Sequence, residues 1–143
     1  MITVRRARPG DALAIRNLLK DLGYGGDARA TDETVSQVVK HPEAAVFVAT
    51  QGVEVVGYVA LSCRPQMRLA GLLASIDEIA VTQSQRQTGV GTQLLETAIG
   101  HARSLQCRRI EVREARPGEG HLRRFFSARN FVELDEAVLG IEL

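Results

Sequence analysis

Residues 76–95 read IDEIAVTQSQRQTGVGTQLL, and this stretch decides the fold. The apolar and β-branched run at residues 76–81 has the composition of a strand, and the segment after the glycines has helical spacing. Between them lie Gly89 and Gly91, preceded by Arg86. A strand that turns directly into a helix leaves unpaired backbone amides at the helix N-terminus, where the helix dipole also favours negative charge. The stretch therefore predicts an anion site at the start of the helix.

Other uses of a glycine-rich turn fit these residues less well. A nucleotide-triphosphate loop needs a lysine after the second glycine, and none follows Gly91. The dinucleotide fingerprint needs a third glycine at the position of Leu94. A strand-to-helix turn that uses its glycines only for geometry remains open, so the loop alone leaves two interpretations.

The rest of the chain predicts a mixed sheet covered by helices. Period-two or β-branched runs predict strands at residues 2–7, 45–50, 53–63, 74–81, 109–113 and 131–143. Three- and four-residue spacing predicts a helix that ends at Gly23, a second that starts near Thr31 or Asp32, a third of about 15 residues after Gly91, and a fourth at residues 121–129. Loops are expected at residues 64–71 and 115–120. The order implies a right-handed strand-helix-strand crossover through residues 74–113.

Composition restricts the class of protein. The 143 residues suit a single domain, and 45% hydrophobic with 24% charged residues is ordinary for a globular chain. The net charge of +1 argues against a nucleic-acid-binding surface. We expect a cytoplasmic protein without a membrane segment, because no apolar run approaches the length that spans a bilayer. Cys63, Cys107 and the three histidines lack metal-ligand spacing, so no metal site is expected.

The quoted stretch resembles the GNAT family of N-acetyltransferases. The family signature is Arg or Gln, two residues, Gly, one residue, and Gly or Ala, and it is matched by Arg86, Gly89 and Gly91. The opening strand with its Arg-Pro-Gly-Asp turn and the strand at residues 109–113 also follow the family's order. The resemblance implies an α/β (mixed α+β) fold, the GNAT fold, with a mostly antiparallel sheet that is splayed between its fourth and fifth strands and flanked by helices.

The resemblance also implies acetyl-CoA as a cosubstrate. Its pyrophosphate would lie on amides of residues 87–92, near the Arg86 guanidinium and the Thr92 hydroxyl, and its pantetheine would follow the strand end at residues 79–81. One of the strand amides could polarise the thioester carbonyl. The expected cofactor-binding residues are Ile79, Ala80, Val81, Arg86, Gln87, Thr88, Gly89, Val90, Gly91 and Thr92.

An acceptor amine is mostly protonated at neutral pH, so acetyl transfer needs a general base. Asp77 and Glu78 are ranked together as candidates, followed by Glu111, although a salt bridge would account for each as well. Strand alternation puts Asp77 on one face and Glu78 on the other, so at most one should face the cleft directly.

Near its end, the chain departs from the family pattern. The family's usual acid is a Tyr in a Phe-Tyr pair on the last helix, and Phe126 stands there instead. Asn130 replaces a common glycine and can also adopt a left-handed turn. Glu119 replaces an asparagine that often contacts CoA. A thiolate leaves tolerably without an acid, because a thiol pKa of about 8.5 is near physiological pH.

The expected function is transfer of acetyl from acetyl-CoA to a primary amine by direct attack in a ternary complex. A CoA-binding or acyl-CoA-sensing module with little catalysis, and an interaction domain that uses the glycine turn structurally, are the alternatives. The sequence leaves open whether the acceptor is a small molecule or a protein amine. Homodimers are common among such proteins, and no feature here demands one.

Overall fold

The computed structural model describes residues 1–113 and 120–143. Contacts between residues divide the chain into two compact units, Met1–Arg113 and Glu114–Leu143, and each is described by itself. The expectation of one domain over residues 1–143 stays a prediction. Glu119 and most of the loop expected at residues 115–120 lie outside the described residues.

A five-stranded sheet forms the first unit, with its strands in chain order. The first four strands pair antiparallel, whereas the fifth pairs parallel with the fourth, as the crossover required. The strands are β1 (Ile2–Arg6), β2 (Ala44–Gln51), β3 (Glu54–Gln66), β4 (Gly71–Val81) and β5 (Arg109–Val112). Three helices belong to this unit: α1 (Ala12–Asp21), α2 (Ala28–Lys40) and α3 (Val90–Ser104), the last of which connects β4 to β5. The mixed α/β fold predicted from the sequence is confirmed.

Turn residues account for most of the boundaries. Gly52 turns the hairpin between β2 and β3 with a positive φ of 61°. The helix α2 begins three residues before the expected Thr31, because the Asp27 carboxylate caps it by accepting a hydrogen bond from the Ala30 amide at 2.8 Å. The expected α2 start was therefore wrong, since an aspartate after two glycines is the stronger capping signal.

Half of the loop expected at residues 64–71 is strand, because residues 64–66 belong to β3 and residue 71 begins β4. Pairing between β3 and β4 continues through Arg64 with Leu73 to Gln66 with Gly71. Only a short 3-10 turn, Met67–Leu69, and Ala70 in a left-handed conformation (φ 51°) connect the two strands. Pro65 and the charged residues around it are typical of a loop. Pairing with β4 nevertheless stabilises a strand here in spite of that composition.

Each face of the sheet is covered by helices. On one face α1 and α2 pack on a cluster of buried residues: Ile15, Leu18, Val35, Val46, Val48, Tyr58, Ala60 and Ala80. On the other face α3 contributes Val90, Leu94, Leu95, Ala98 and Ala102 to the core. Gly57 of β3 allows the close approach of α3, because a Cβ there would lie 2.9 Å from the Ala80 carbonyl oxygen and 3.1 Å from Leu94 Cδ1.

The second unit contains α4 (Gly120–Ser127) and an aromatic cluster. Phe126 contacts Phe125 and Phe131, with ring centroids 5.1 and 5.4 Å apart. Asn130 adopts the left-handed conformation expected of it, with φ 67°. The strand expected at residues 131–143 was wrong, because those described residues carry no strand pairing. Apolar alternation indicates how a strand would face, but it does not supply a partner for the ladder.

Candidate active site

The N-terminus of α3 has the geometry of an anion site. Gly89 is the residue before the helix and takes φ 91°, while Gln87 two residues earlier takes φ 63°. No described side chain makes a capping hydrogen bond at Gly89, and amides at the start of a helix have no partner within the helix itself. A Cβ at Gly89 would meet no atom within 4 Å, so the backbone conformation rather than space requires glycine.

Hydrogen bonds hold the loop before α3 in shape. The Thr88 hydroxyl donates to the Gln85 carbonyl oxygen, and Arg86 Nε donates to the Val81 carbonyl oxygen at 3.3 Å. Gln85 Nε2 also donates to Gln51 Oε1 at 2.8 Å, which ties the loop to the β2–β3 hairpin. The side chain of Arg86 is exposed, so this cation can meet an incoming anion.

The expected pyrophosphate residues do not all contribute in the same way. Gln87, Thr88 and Gly89 are exposed, Gly91 and Thr92 are half-buried, and Val90 is only 1% exposed. The Val90 side chain belongs to the core under α3, which leaves its backbone amide as its only group for a ligand.

Within residues 1–113 and 120–143, no strand pairs with the end of β4 on the side of β5, so this edge is open beside the loop. Pairing with β5 covers Leu73–Ile76 and ends there, since β5 itself ends at Val112. On the opposite side, the Thr82 amide donates to the Val56 carbonyl oxygen at 2.8 Å. Backbone groups of successive strand residues point to alternate sides, so those of Ile79 and Val81 point to the open edge.

Ala80 is placed differently from its two neighbours. By the same alternation its backbone groups face β3, where it pairs with Tyr58. Its side chain is buried in the cluster under α1 and α2. Of the three residues expected along the pantetheine, Ile79 and Val81 therefore have backbone groups that point in the required direction, although the Val81 carbonyl oxygen already accepts from Arg86 Nε.

A β-bulge changes the expected positions of the two adjacent carboxylates. Ala60 of β3 pairs with Glu78, but the next residue, Leu61, pairs with Ile76, so Asp77 is an extra residue in β4. The expectation that Asp77 and Glu78 lie on opposite faces was wrong, because strict alternation fails at a bulge. Both side chains lie toward the face that carries α1 and α2. Asp77 interacts with Ser62 on that face, and Glu78 lines the cleft with Ala60.

Asp77 sits among polar and charged groups. Burial raises the pKa of its carboxyl, whereas a hydrogen bond with Ser62 and the charges of Arg113 and Arg64 act in the opposite direction. Ser62 is two residues after Ala60 in β3, so it lies on the same face as Ala60. These partners would hold the Asp77 carboxylate in one orientation.

Glu78 lies in a less polar environment. Burial raises the pKa of its carboxyl, and the neighbouring Asp77 charge adds to the effect. A carboxyl whose pKa is raised is a better proton acceptor for an ammonium group near neutral pH. The effect of Asp77 on Glu78 is that of a like charge that disfavours ionisation of its neighbour.

Glu111 is paired elsewhere. It forms an ion pair with Arg109 in the same strand, Nη2 to Oε1 at 2.7 Å, and it lies beside Ser75 in the ladder. The register puts Glu111 two positions before the bulge, away from the open end of β4.

A cleft of about 350 Å³ lies between α1, α2 and the sheet. Glu78 lines it, and so do Ala60 and Tyr58 of β3. Tyr58 is 1% exposed, and no group among the described residues makes a hydrogen bond with its hydroxyl. Alternation along β3 puts Tyr58 and Ala60 on one face, but only the β3–β4 register brings them to Glu78.

These parts allow one kind of chemistry. An anion site lies at the end of an open strand edge, and an acidic, partly apolar cleft begins at that strand. A substrate with a phosphate-bearing arm and a carbonyl group could be held along β4 while a cation enters the cleft.

None of the helices within residues 1–113 and 120–143 is long and apolar enough to cross a membrane.

Comparison with known proteins agrees with this geometry. Residues 12–131 match the model of the acetyltransferase (GNAT) family. No curated protein matches the chain. A transcriptional regulator from Bacillus halodurans C-125 has a similar fold, with TM-score 0.88 and 20% identity over 100% of both chains.

Two acetyltransferases of known structure are also similar. The aminoglycoside N-acetyltransferase AAC(6')-Iy, solved in complex with CoA, has TM-score 0.87 and 19% identity over 99% of this chain and 95% of that chain. A ribosomal-protein-alanine N-acetyltransferase from Brucella melitensis biovar Abortus 2308 has TM-score 0.78 and 16% identity over 100% of both chains. At these identities the likeness concerns the fold alone. Because the family model spans most of its residues, the chain belongs to the acetyltransferase (GNAT) family.

Proposed function

We propose that this protein is an N-acetyltransferase that passes the acetyl group of acetyl-CoA directly to a primary amine while both substrates are bound. The observation that carries the proposal is the uncapped N-terminus of α3 directly beside the open edge of β4. A CoA pyrophosphate needs amide donors and positive charge, and its pantetheine needs backbone partners. The two features supply both within one short segment.

The donor half of the site would be built from backbone groups. Amides of residues 87–92 would bind the pyrophosphate, with the Arg86 guanidinium and the Thr92 hydroxyl beside it. The backbone of Ile79 and Val81 would bind the pantetheine. Acetyl-CoA supplies the activated thioester, and an amide at the strand end would stabilise negative charge on its carbonyl oxygen.

The acceptor half needs a base, and Glu78 is our first choice. It lines the cleft, whereas Asp77 is outside the lining, near Ser62 and two arginines, and Glu111 pairs with Arg109. Burial raises the pKa of both Glu78 and Asp77, and the Asp77 charge raises that of Glu78 further. Glu78 would take one proton from the ammonium group, the freed amine would form the C–N bond as the C–S bond breaks, and the second proton lost by the nitrogen would pass through water to the CoA thiolate. Asp77 stays the second candidate and Glu111 the third.

An experiment on Gly89 tests the donor half. The substitutions Gly89→Asp and Gly89→Asn produce side chains of the same shape, both of which tolerate positive φ, but only aspartate adds a negative charge. In isothermal calorimetry we expect Gly89→Asn to bind acetyl-CoA and Gly89→Asp to lose binding by at least about tenfold relative to it. Equal affinities of the two variants, or no binding by the wild type at millimolar ligand, would contradict the proposal.

A second function is favoured by one observation. Phe126 stands where the family commonly has an acidic tyrosine, and it has no hydroxyl to donate a proton. It is buried and contacts two other phenylalanines. A CoA-binding or acyl-CoA-sensing module would need no such donor. Release of free CoA that depends on an added amine would distinguish an enzyme from a sensor. We expect the outcome for an enzyme, and we expect that enzyme to be cytoplasmic and to work without a metal.

A further inference from the structure

The cleft beside Glu78 has walls of a particular chemistry. Its apolar surface comes from both helices and the sheet, and its polar groups are few. The apolar lining includes Ile15, Leu19, Val35, Val38, Val46 and Ala60. A volume of about 350 Å³ is at the lower end for small-molecule sites. Such walls favour an occupant with a small, mostly apolar body.

The charged groups in the lining all have one sign. Asp27 and Glu78 are its only charged residues within the described chain, and no lysine, arginine or histidine is among them. Asp27 already accepts a hydrogen bond from the Ala30 amide through Oδ1. A cation entering this cleft would gain from both carboxylates, whereas a carboxylate on the same molecule would find no positive partner.

One buried polar atom in the lining needs an explanation. The Tyr58 hydroxyl is buried and unpartnered among the described residues, and buried polar groups in proteins almost always have a partner. Burial raises the pKa of this hydroxyl above its usual range, with the Glu78 charge adding to it, so it stays a neutral donor. An oxygen atom on a cleft occupant would complete its hydrogen bonding.

The cleft can yield enough to bring an occupant to Tyr58. Its opposite wall includes Gly25 and Gly26, and a Cβ at either would meet no atom within 4 Å. Tyr58 itself lines the cleft, and a wall segment without side chains and without close neighbours can shift at little cost in packing to admit an occupant beside it.

We propose, on the basis of the acetyltransferase function above, that the acceptor is a small primary amine with an apolar body, no carboxylate, and an oxygen that accepts a hydrogen bond from Tyr58. Its ammonium group lies at Glu78 and its apolar part lies against the walls under α1 and α2. This class excludes free amino acids and acidic peptides. Tyr58 acts as a specificity residue and takes no part in bond making.

A matched set of amines tests the charge argument. Phenethylamine, phenylalanine, tyramine and 2-amino-1-phenylethanol share one carbon skeleton and differ by a carboxylate or by the position of a hydroxyl. We expect wild-type kcat/KM, measured by CoA release, to be at least about tenfold higher for phenethylamine than for phenylalanine. Equal use of both, or preference for an α-amine of a peptide, overturns the proposal.

The substitution Tyr58→Phe tests the hydrogen bond. In the wild type we expect at least one of the two hydroxylated amines to exceed phenethylamine in kcat/KM by about tenfold. In Tyr58→Phe that ratio should fall to near one, because the variant has no hydroxyl to distinguish the hydroxylated amines from phenethylamine. A ratio that survives the substitution, or that never exceeds one, overturns the role given to Tyr58.

A steric variant tests the location independently of turnover. Gly26→Leu would fill part of the cleft, whereas Gly10→Leu adds the same side chain at another open position outside the lining. We expect calorimetric binding of the preferred amine to the CoA-saturated protein to weaken at least tenfold in Gly26→Leu and to stay unchanged in Gly10→Leu. If the wild type does not bind acetyl-CoA, the proposed function is refuted. If it binds acetyl-CoA but neither binds nor acetylates any of these amines, only the proposed acceptor class is refuted.

Discussion

At the scale of single residues, two adjacent carboxylates have different surroundings. Asp77 bonds with Ser62 near two arginines, whereas Glu78 lines the cleft beside Ala60. Because Asp77 is a bulge residue, the two side chains share a face, and the Asp77 charge raises the pKa of Glu78 beyond the effect of burial. Two interacting carboxyls titrate as a pair, so a pH profile would report the pair rather than either residue alone.

The substitution Glu78→Gln tests which carboxyl is the base. We expect kcat to fall by about 10²–10⁴ and the dependence of the rate on deprotonation of a carboxyl to disappear, because the group that accepts the amine proton is gone. The measurement is kcat and kcat/KM as functions of pH. Asp77→Asn is the matched control, with an expected loss of about tenfold or less. A larger loss in Asp77→Asn than in Glu78→Gln would assign the base to Asp77.

At the scale of elements, an ion pair connects β1 to the turn before α1. Arg5 contacts both carboxylate oxygens of Asp11, at 2.8 and 3.0 Å, and the Arg8 amide donates to Asp11 Oδ2 at 2.7 Å. The hydrogen bond from Arg5 holds the pKa of Asp11 below its usual value, against an opposing effect of burial. The charged form of Asp11 is therefore the one that the folded state prefers.

A consequence is acid-dependent stability. A lowered folded-state pKa contributes stability that is present above the unfolded-state pKa of about 3.9 and is lost as the pH falls through the folded value. We expect Asp11→Asn to reduce the free energy of unfolding at pH 7 by about 1.5–3 kcal/mol, with the difference shrinking below about pH 4. Urea unfolding at several pH values measures it.

The exposed ion pair of α2 provides the control for that experiment. Arg29 Nε contacts Glu33 Oε1 at 3.1 Å, but both side chains are mostly exposed. Such pairs are worth at most about 0.5 kcal/mol, so Glu33→Gln should change little at any pH. If the difference in free energy of unfolding between the wild type and Asp11→Asn stays constant down to pH 2, ionisation of Asp11 does not contribute to stability as proposed.

The helix α3 contains a glycine with no structural reason that we can identify. Gly100 lies within α3, and a Cβ there would meet no atom within 4 Å. Alanine loses less backbone entropy in a helix, so we expect Gly100→Ala to stabilise the protein by about 0.5–1 kcal/mol in thermal or urea unfolding.

Gly57 is the matched control for this substitution. A Cβ at Gly57 would lie 2.9 Å from a backbone oxygen of β4, so Gly57→Ala should destabilise the fold where Gly100→Ala stabilises it. If both substitutions change the free energy of unfolding in the same direction, the close contacts of Gly57 with β4 and α3 do not determine the effect.

At the scale of the whole molecule, ligand binding should appear as stability. A ligand that binds only the folded state stabilises it by about 2.7 kcal/mol at one hundred times its Kd, which would raise Tm by roughly 5–10 °C in a chain of this size. We expect acetyl-CoA to do so for the wild type and Gly89→Asn, and Gly89→Asp to show a shift of at most about half that size, since it binds at least about tenfold more weakly. A shift of the same size in Gly89→Asp would place the ligand away from α3.

Much of the architecture could be predicted because its signals are local. The β2–β3 hairpin turns at Gly52, α1 ends before Gly23, and the strand-turn-helix at Gly89 has the backbone conformation that glycine permits. The errors came where a neighbour decides the outcome. Residues 64–66 form strand because β4 pairs with them, and residues 131–143 do not, since a strand requires a partner as well as a pattern.

By itself, the sequence determined the family, the α/β order of elements and the glycine turn before α3, because capping, backbone conformation and spacing act over a few neighbouring residues. Only the tertiary structure decided how β3 and β4 pair. That register makes Asp77 a bulge residue, turns it and Glu78 to the same face, and brings Glu78 to the cleft with Tyr58. Strand pairing joins residues about 20 positions apart, and a one-residue difference reverses the face on which a side chain lies.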